Sequence, residues 1–185
     1  MNQQDRPRSV LLMVLWVAIA CLGRVVPHPA NVTPLTSLSI IAGLRFSRRA
    51  AVLMVLASML VSDVLVAMVY GYAPFGLWMW FTYSGFILIA LLSPYLCREF
   101  KFKSLLLTVF LSALGYWLWT NFGTWLTGTM YPKTFAGLIT CYVAGLPFLR
   151  DALLGDVVWM SIIIGLLKIS VPNLFFDKRV EKIHE

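Results

Sequence analysis

A few polar side chains stand inside or beside long apolar runs, where each could bind a solute or handle a charge: Arg24, His28, Asn31, Asp63, Asn121 and Asp156. A carboxylate facing lipid costs about 2.5–3.5 kcal/mol at the centre of a span on insertion scales, so Asp63 and Asp156 are expected to face protein. Arg24 opens the turn Arg24-Val-Val-Pro-His-Pro-Ala-Asn31, which gathers a guanidinium, an imidazole and an amide within one short stretch. Arg24 and His28 suit an anionic or polar group on a ligand, with Asp63 and Asp156 orienting Arg24 or binding the solute. Asn121 and Trp125 are spaced i, i+4, hence on one helix face, and an amide beside an indole suits a flat heterocycle. Tyr131 and Tyr142 extend an aromatic crowd that includes Tyr116, Trp117 and Trp119. An aromatic belt at a membrane interface produces the same crowding, as it would for Trp78 and Trp80. Arg24 paired with either aspartate would equally hold helices together, with Arg150 and Asp151 as interfacial anchors. The residues alone leave both readings open.

The elements that must position these side chains are apolar stretches of membrane length, at about 9–26, 33–46, 50–72, 75–97, 104–127 and 151–170. With the N-terminus in the cytoplasm, twelve of the fifteen lysines and arginines fall inside, leaving Arg24, Lys133 and Arg150 outside. That asymmetry is the one the positive-inside rule demands, and it predicts both termini in the cytoplasm. On this assignment the rare charges gather toward the outer face, around one polar pocket opening outward. The segment 134–149 is uncharged but contains Gly137, Gly145 and Pro147. Treating it as a span would invert the basic residues that follow. It is expected instead as a cap or re-entrant piece, part of an outer segment around 128–150. The first stretch resembles a signal peptide, with Ala18-Ile19-Ala20-Cys21 near its end, but five further stretches follow and it is kept as a helix. The expectation is an all-α, multi-pass protein of the inner (cytoplasmic) membrane, a single domain over 1–185.

Composition narrows the class. The chain is 60% hydrophobic and 12% charged, which leaves too little polar surface for a soluble domain. Its net charge of +7 suits loops lying against anionic headgroups of the bilayer rather than nucleic acid. Cys21, Cys97 and Cys141 form no CxxC pair and lack clustered histidines, so neither a metal nor a disulfide is expected, and no cofactor. There is no phosphate-binding Gly-x-x-x-x-Gly-Lys-Ser/Thr loop, no Gly-x-Ser-x-Gly and no His-Glu-x-x-His. The expectation is therefore no enzyme and no catalytic residues. A membrane enzyme using His28 with Asp63 or Asp156 is the alternative, followed by a structural membrane subunit.

The string Arg24-x-x-Pro27-His28-Pro29-x-Asn31-x-x-Pro34 resembles the signature of an uncharacterised family of transport proteins. Asp63, Asn121-Phe122-Gly123-x-Trp125, Tyr131-Pro132, Gly137, Cys141-Tyr142, Pro147-Phe148 and Gly155-Asp156 extend the match over nearly the whole chain. That family is similar to the S-components, the substrate-binding subunits of energy-coupling-factor vitamin transporters. The resemblance implies six helices, an outward pocket capped by loops, and capture of a small vitamin-like or heterocyclic micronutrient. A T-subunit and an ATPase pair would be the partners that supply energy. One departure is the Ala-x-x-x-Ala docking patch usual on the first helix of S-components. Here Ala18 is followed by Leu22, and Ala20 by Arg24. The nearest substitute is Ser39-x-x-x-Gly43, where helices can approach closely.

Overall fold

In the computed structural model, residues 6–29, 31–97 and 101–170 are described, with side chains from Met13 to Leu167. These residues form six helices: α1 (Arg6–Val25), α2 (Leu35–Arg45), α3 (Arg48–Tyr70), α4 (Trp78–Leu96), α5 (Phe102–Thr127) and α6 (Phe135–Ser170). Arg98 and both chain ends lie outside the described residues, and with them the expected placement of the termini.

Local chemistry accounts for the boundaries. The Ser47 hydroxyl accepts from the Ala50 N–H at 3.4 Å and opens α3. Gly71 closes the helix in the left-handed region (φ 73°), its N–H bonded to Ala67 O, a conformation that favours glycine. Pro34 precedes α2, and Pro94 falls in the last turn of α4, whose chain leaves the helix at Cys97. Helices α3, α4 and α5 are long and apolar enough to cross a membrane. Large apolar side chains stand exposed along them, among them Leu53, Met68, Trp80, Leu92 and Leu107. Such a surface marks a membrane protein.

Two expected elements differ. Residues 33–46 do not make a full span. Helix α2 has 11 residues, and at about 1.5 Å per residue it reaches roughly 16 Å, half of a hydrocarbon core. It is buried along almost its whole length, packed against α4, α3 and α6, so its short backbone is sheltered by protein. Its Ser39-x-x-x-Gly43 stripe is consumed inside the chain, because a Cβ on Gly43 would collide with the Ala90 carbonyl and approach Ser93 Oγ in α4. The patch is therefore not free to dock a second subunit.

The second difference concerns 128–150. No separate re-entrant piece forms there: α6 runs unbroken from Phe135 through Pro147 to Ser170. Its glycines serve close packing rather than breakage. Gly137, Cys141 and Gly145 are buried at intervals of four, while most of their neighbours are exposed. Gly137 packs on the Pro132 carbonyl of the α5–α6 turn, and Cys141 and Gly145 lie against α5, where Trp117 Nε1 donates to Gly145 O at 2.9 Å. The 36 residues would extend about 54 Å, well beyond one bilayer core.

The apolar core joins Trp16, Ile40, Ile41, Met59, Phe86, Val109 and Ile163 from all six helices. It leaves an opening at the end of the bundle where α1, α3 and α5 finish and α4 and α6 begin.

Candidate functional site

A cavity of about 490 Å³ occupies that end. Arg24 reaches it from α1, Asn31 and Thr33 from the connection into α2, Thr36 from the first turn of α2, and Thr82 and Phe86 from α4. Helix α5 contributes Tyr116, Trp117, Thr120, Asn121 and Thr124, Tyr131 comes from the α5–α6 turn, and α6 adds Cys141, Gly145 and Asp156. Successive turns of α5 thus present one face, because 113, 116, 117, 120, 121 and 124 repeat at helical spacing.

Arg24 and Asp63 form an ion pair between α1 and α3, with the aspartate side chain 3% and the arginine 18% exposed. Arg24 Nη1 also donates to Ser62 Oγ at 2.7 Å, and the Tyr83 hydroxyl donates to Asp63 Oδ2 at 2.7 Å. Both carboxylate oxygens of Asp63 are therefore occupied. Asp63 does not line the cavity; it fixes the guanidinium that does. Asp156 stands differently. It is 2% exposed and lines the cavity beside Thr36, and its backbone carbonyl accepts from Ser37 Oγ at 3.0 Å. Its Oδ2 is buried with no partner.

The other sequence-predicted residues divide. Asn121 lines the cavity, its Nδ2 donating to Trp117 O at 2.8 Å in its own helix. Asn31 lines it too, in the left-handed region at φ 64°, which asparagine tolerates better than most residues. Tyr131 closes one side.

Trp125 does not lie in the wall. Its indole donates to Pro132 O at 2.9 Å and Lys133 Nζ sits 5.7 Å from the ring centroid, so it clasps the α5–α6 turn. The i, i+4 spacing is real, but a carbonyl of the short turn takes the indole N–H. Tyr142 lies on the side of the helical hairpin, donating to Leu118 O at 3.0 Å and packed on Trp117. His28 is on the exposed turn with Nδ1 2.6 Å from Val26 O, away from both aspartates. The cavity therefore gathers Arg24, Asn31, Asn121, Tyr131 and Asp156, with Asp63 behind Arg24.

Sequence reasoning missed Thr36, Thr82, Thr120, Thr124 and Phe86 as wall residues. Threonines at 120 and 124 flank Asn121 at helical spacing, a signal that was present. Thr82 and Thr36 carry none, because single hydroxyls are common in apolar helices. Tyr116 and Trp117 resemble belt residues in sequence, yet both face inward. Phe86 and Tyr116 pack with centroids 4.4 Å apart, giving the wall a flat aromatic section.

Such an arrangement can hold a small molecule with rings on one side, hydroxyls around it, and a charged group at each of two separate points. A model for a family of unknown function (DUF6580) matches residues 3–176, and the chain belongs to that family. No curated protein and no solved structure matches the chain.

Proposed function

We propose that this chain is a substrate-binding membrane subunit for uptake of a small vitamin-like or heterocyclic micronutrient, similar to an S-component. The observation that carries the reading is the 490 Å³ cavity, which combines aromatic walls with Arg24, Asn121 and Asp156. Its volume lies within the roughly 300–1,000 Å³ usual for small-molecule sites. The same reading has the chain crossing the inner membrane with both termini cytoplasmic and the cavity toward the outside, as the distribution of lysines and arginines supports. Energy would come from a separate T-subunit and ATPase pair. Docking to them would use a face other than Ser39-x-x-x-Gly43, which α4 covers.

The membrane-enzyme reading needs His28 beside a carboxylate, and the histidine instead meets the carbonyl of Val26. No specific observation favours it.

Equilibrium dialysis of the purified, detergent-solubilised chain against a cell metabolite extract tests the proposal. Mass spectrometry should find one solute concentrated on the protein side and recovered chemically unchanged. Conversion of a solute by the chain alone, or no enrichment of any, would overturn it.

A further inference from the structure

Two ionisable side chains reach the cavity, and only one of them has an ionic partner. Arg24 is neutralised by Asp63, whose second oxygen is taken by Tyr83, so the pair presents little net charge to a ligand. Asp156 has no such partner. The cavity lies on one side of it, Thr36 lines the same space, and Oδ2 remains enclosed and unbonded. Among the described residues no lysine, arginine or histidine forms an ion pair with it. A buried carboxyl without an ionic partner is costly to ionise, and a cation held in the cavity offsets that cost.

The rest of the wall fits a flat molecule. Phe86, Tyr116 and Trp117 line the same space, and aromatic faces attract a delocalised cation as well as a ring. An anion would gain little from the already paired Arg24 and would meet Asp156. A neutral ring would leave Asp156 without a charge partner.

We propose that the solute is a small planar monocation, an amidinium or an N-protonated heterocycle, whose N–H pairs with the Asp156 carboxyl group while its ring lies along Phe86, Tyr116 and Trp117. This rests on the cavity being the solute site and names the chemistry that the site selects. Asp156 is then the residue that sets charge specificity, and Arg24 a fixed wall of the cavity rather than an anion trap.

Isothermal titration calorimetry with three probes of one size and shape provides the test: benzamidinium, benzamide and benzoate, titrated into the purified full chain in detergent. Benzamidinium should bind at least about tenfold more tightly than the other two, as a charge-assisted hydrogen bond in an enclosed site provides. Asp156→Asn keeps the side-chain size and removes the charge, so the ratio of benzamidinium to benzamide affinity should fall to about one. The ranking in the unaltered chain decides the matter even where the variant fails to fold. Equal or tighter binding of benzamide or benzoate would overturn the cation assignment while leaving the cavity a solute site. Binding of none of the three would overturn it as well, and enrichment in the dialysis experiment would then separately decide whether the cavity holds a solute.

Discussion

Replacing Arg24 with methionine keeps much of the side-chain volume and removes its charge, which exposes what the Arg24–Asp63 pair contributes. Asp63 would lose its cationic partner while 3% exposed, retaining only the Tyr83 hydroxyl as a donor. Ser62 Oγ would lose its donor as well. Two hydrogen bonds from a charged group at about 1.5–3 kcal/mol each bracket the direct loss. Removing one partner of a buried pair costs about 3–5 kcal/mol, chiefly from the charge left behind. Arg24→Met should therefore destabilise the chain by about 3–5 kcal/mol. Arg24→Met with Asp63→Asn leaves no stranded charge and keeps a partner for Tyr83, so it should cost only about 1–2 kcal/mol. The gap between the double variant and the summed single losses is the coupling energy, expected at about 2 kcal/mol or more. Equilibrium unfolding in mixed micelles, followed by tryptophan fluorescence, measures all four proteins. Additive losses would refute the reasoning, because they would mean that the two side chains do not compensate each other.

Other consequences are equally direct. Asn121→Ala should weaken solute binding by about 1–3 kcal/mol, roughly ten- to a hundredfold, whereas Trp125→Ala should leave affinity intact and lower stability through the loosened α5–α6 turn; the same calorimetry and unfolding assays separate the two. Gly43→Ala should destabilise, since its Cβ meets the Ala90 carbonyl, while Gly115→Ala, with open space around it, should stabilise by up to about 1 kcal/mol. An impermeant thiol reagent should label Lys133→Cys from outside the cell and leave Lys101→Cys unlabelled; outside labelling at 101 would invert the proposed orientation.

The long helices were legible because basic residues, prolines and glycines punctuate apolar runs. Helix α3 was expected at 50–72 and spans Arg48–Tyr70, and α5 was expected at 104–127 and spans Phe102–Thr127. Composition could not show that α2 is too short to span, since a buried short helix and a membrane-spanning one are both apolar. Helix α6 was cut too late because Gly137, Gly145 and Pro147 read as breakers. The fourfold spacing of Gly137, Cys141 and Gly145 is the contrary signal, a smooth stripe that packs on the α5–α6 turn and on α5. At the site, the cost of a charge in lipid predicted inward aspartates, and Asp63 and Asp156 are both buried. Sequence could not say which of them Arg24 would meet, because that depends on how α1 packs against α3. His28 and Trp125 were drawn in by proximity along the chain, and local carbonyls at Val26 and Pro132 engage them instead.

Native mass spectrometry of the chain released from detergent tests solute binding in this cavity most directly. The unaltered protein should carry one small molecule, in a 1:1 complex that dissociates to a chemically intact solute. Thr120→Trp, which places an indole in the cavity wall, should fold and carry none. A bare wild-type chain after exposure to a cell metabolite extract, or a Thr120→Trp variant as fully loaded as the wild type, would contradict the assignment of the cavity as the solute site.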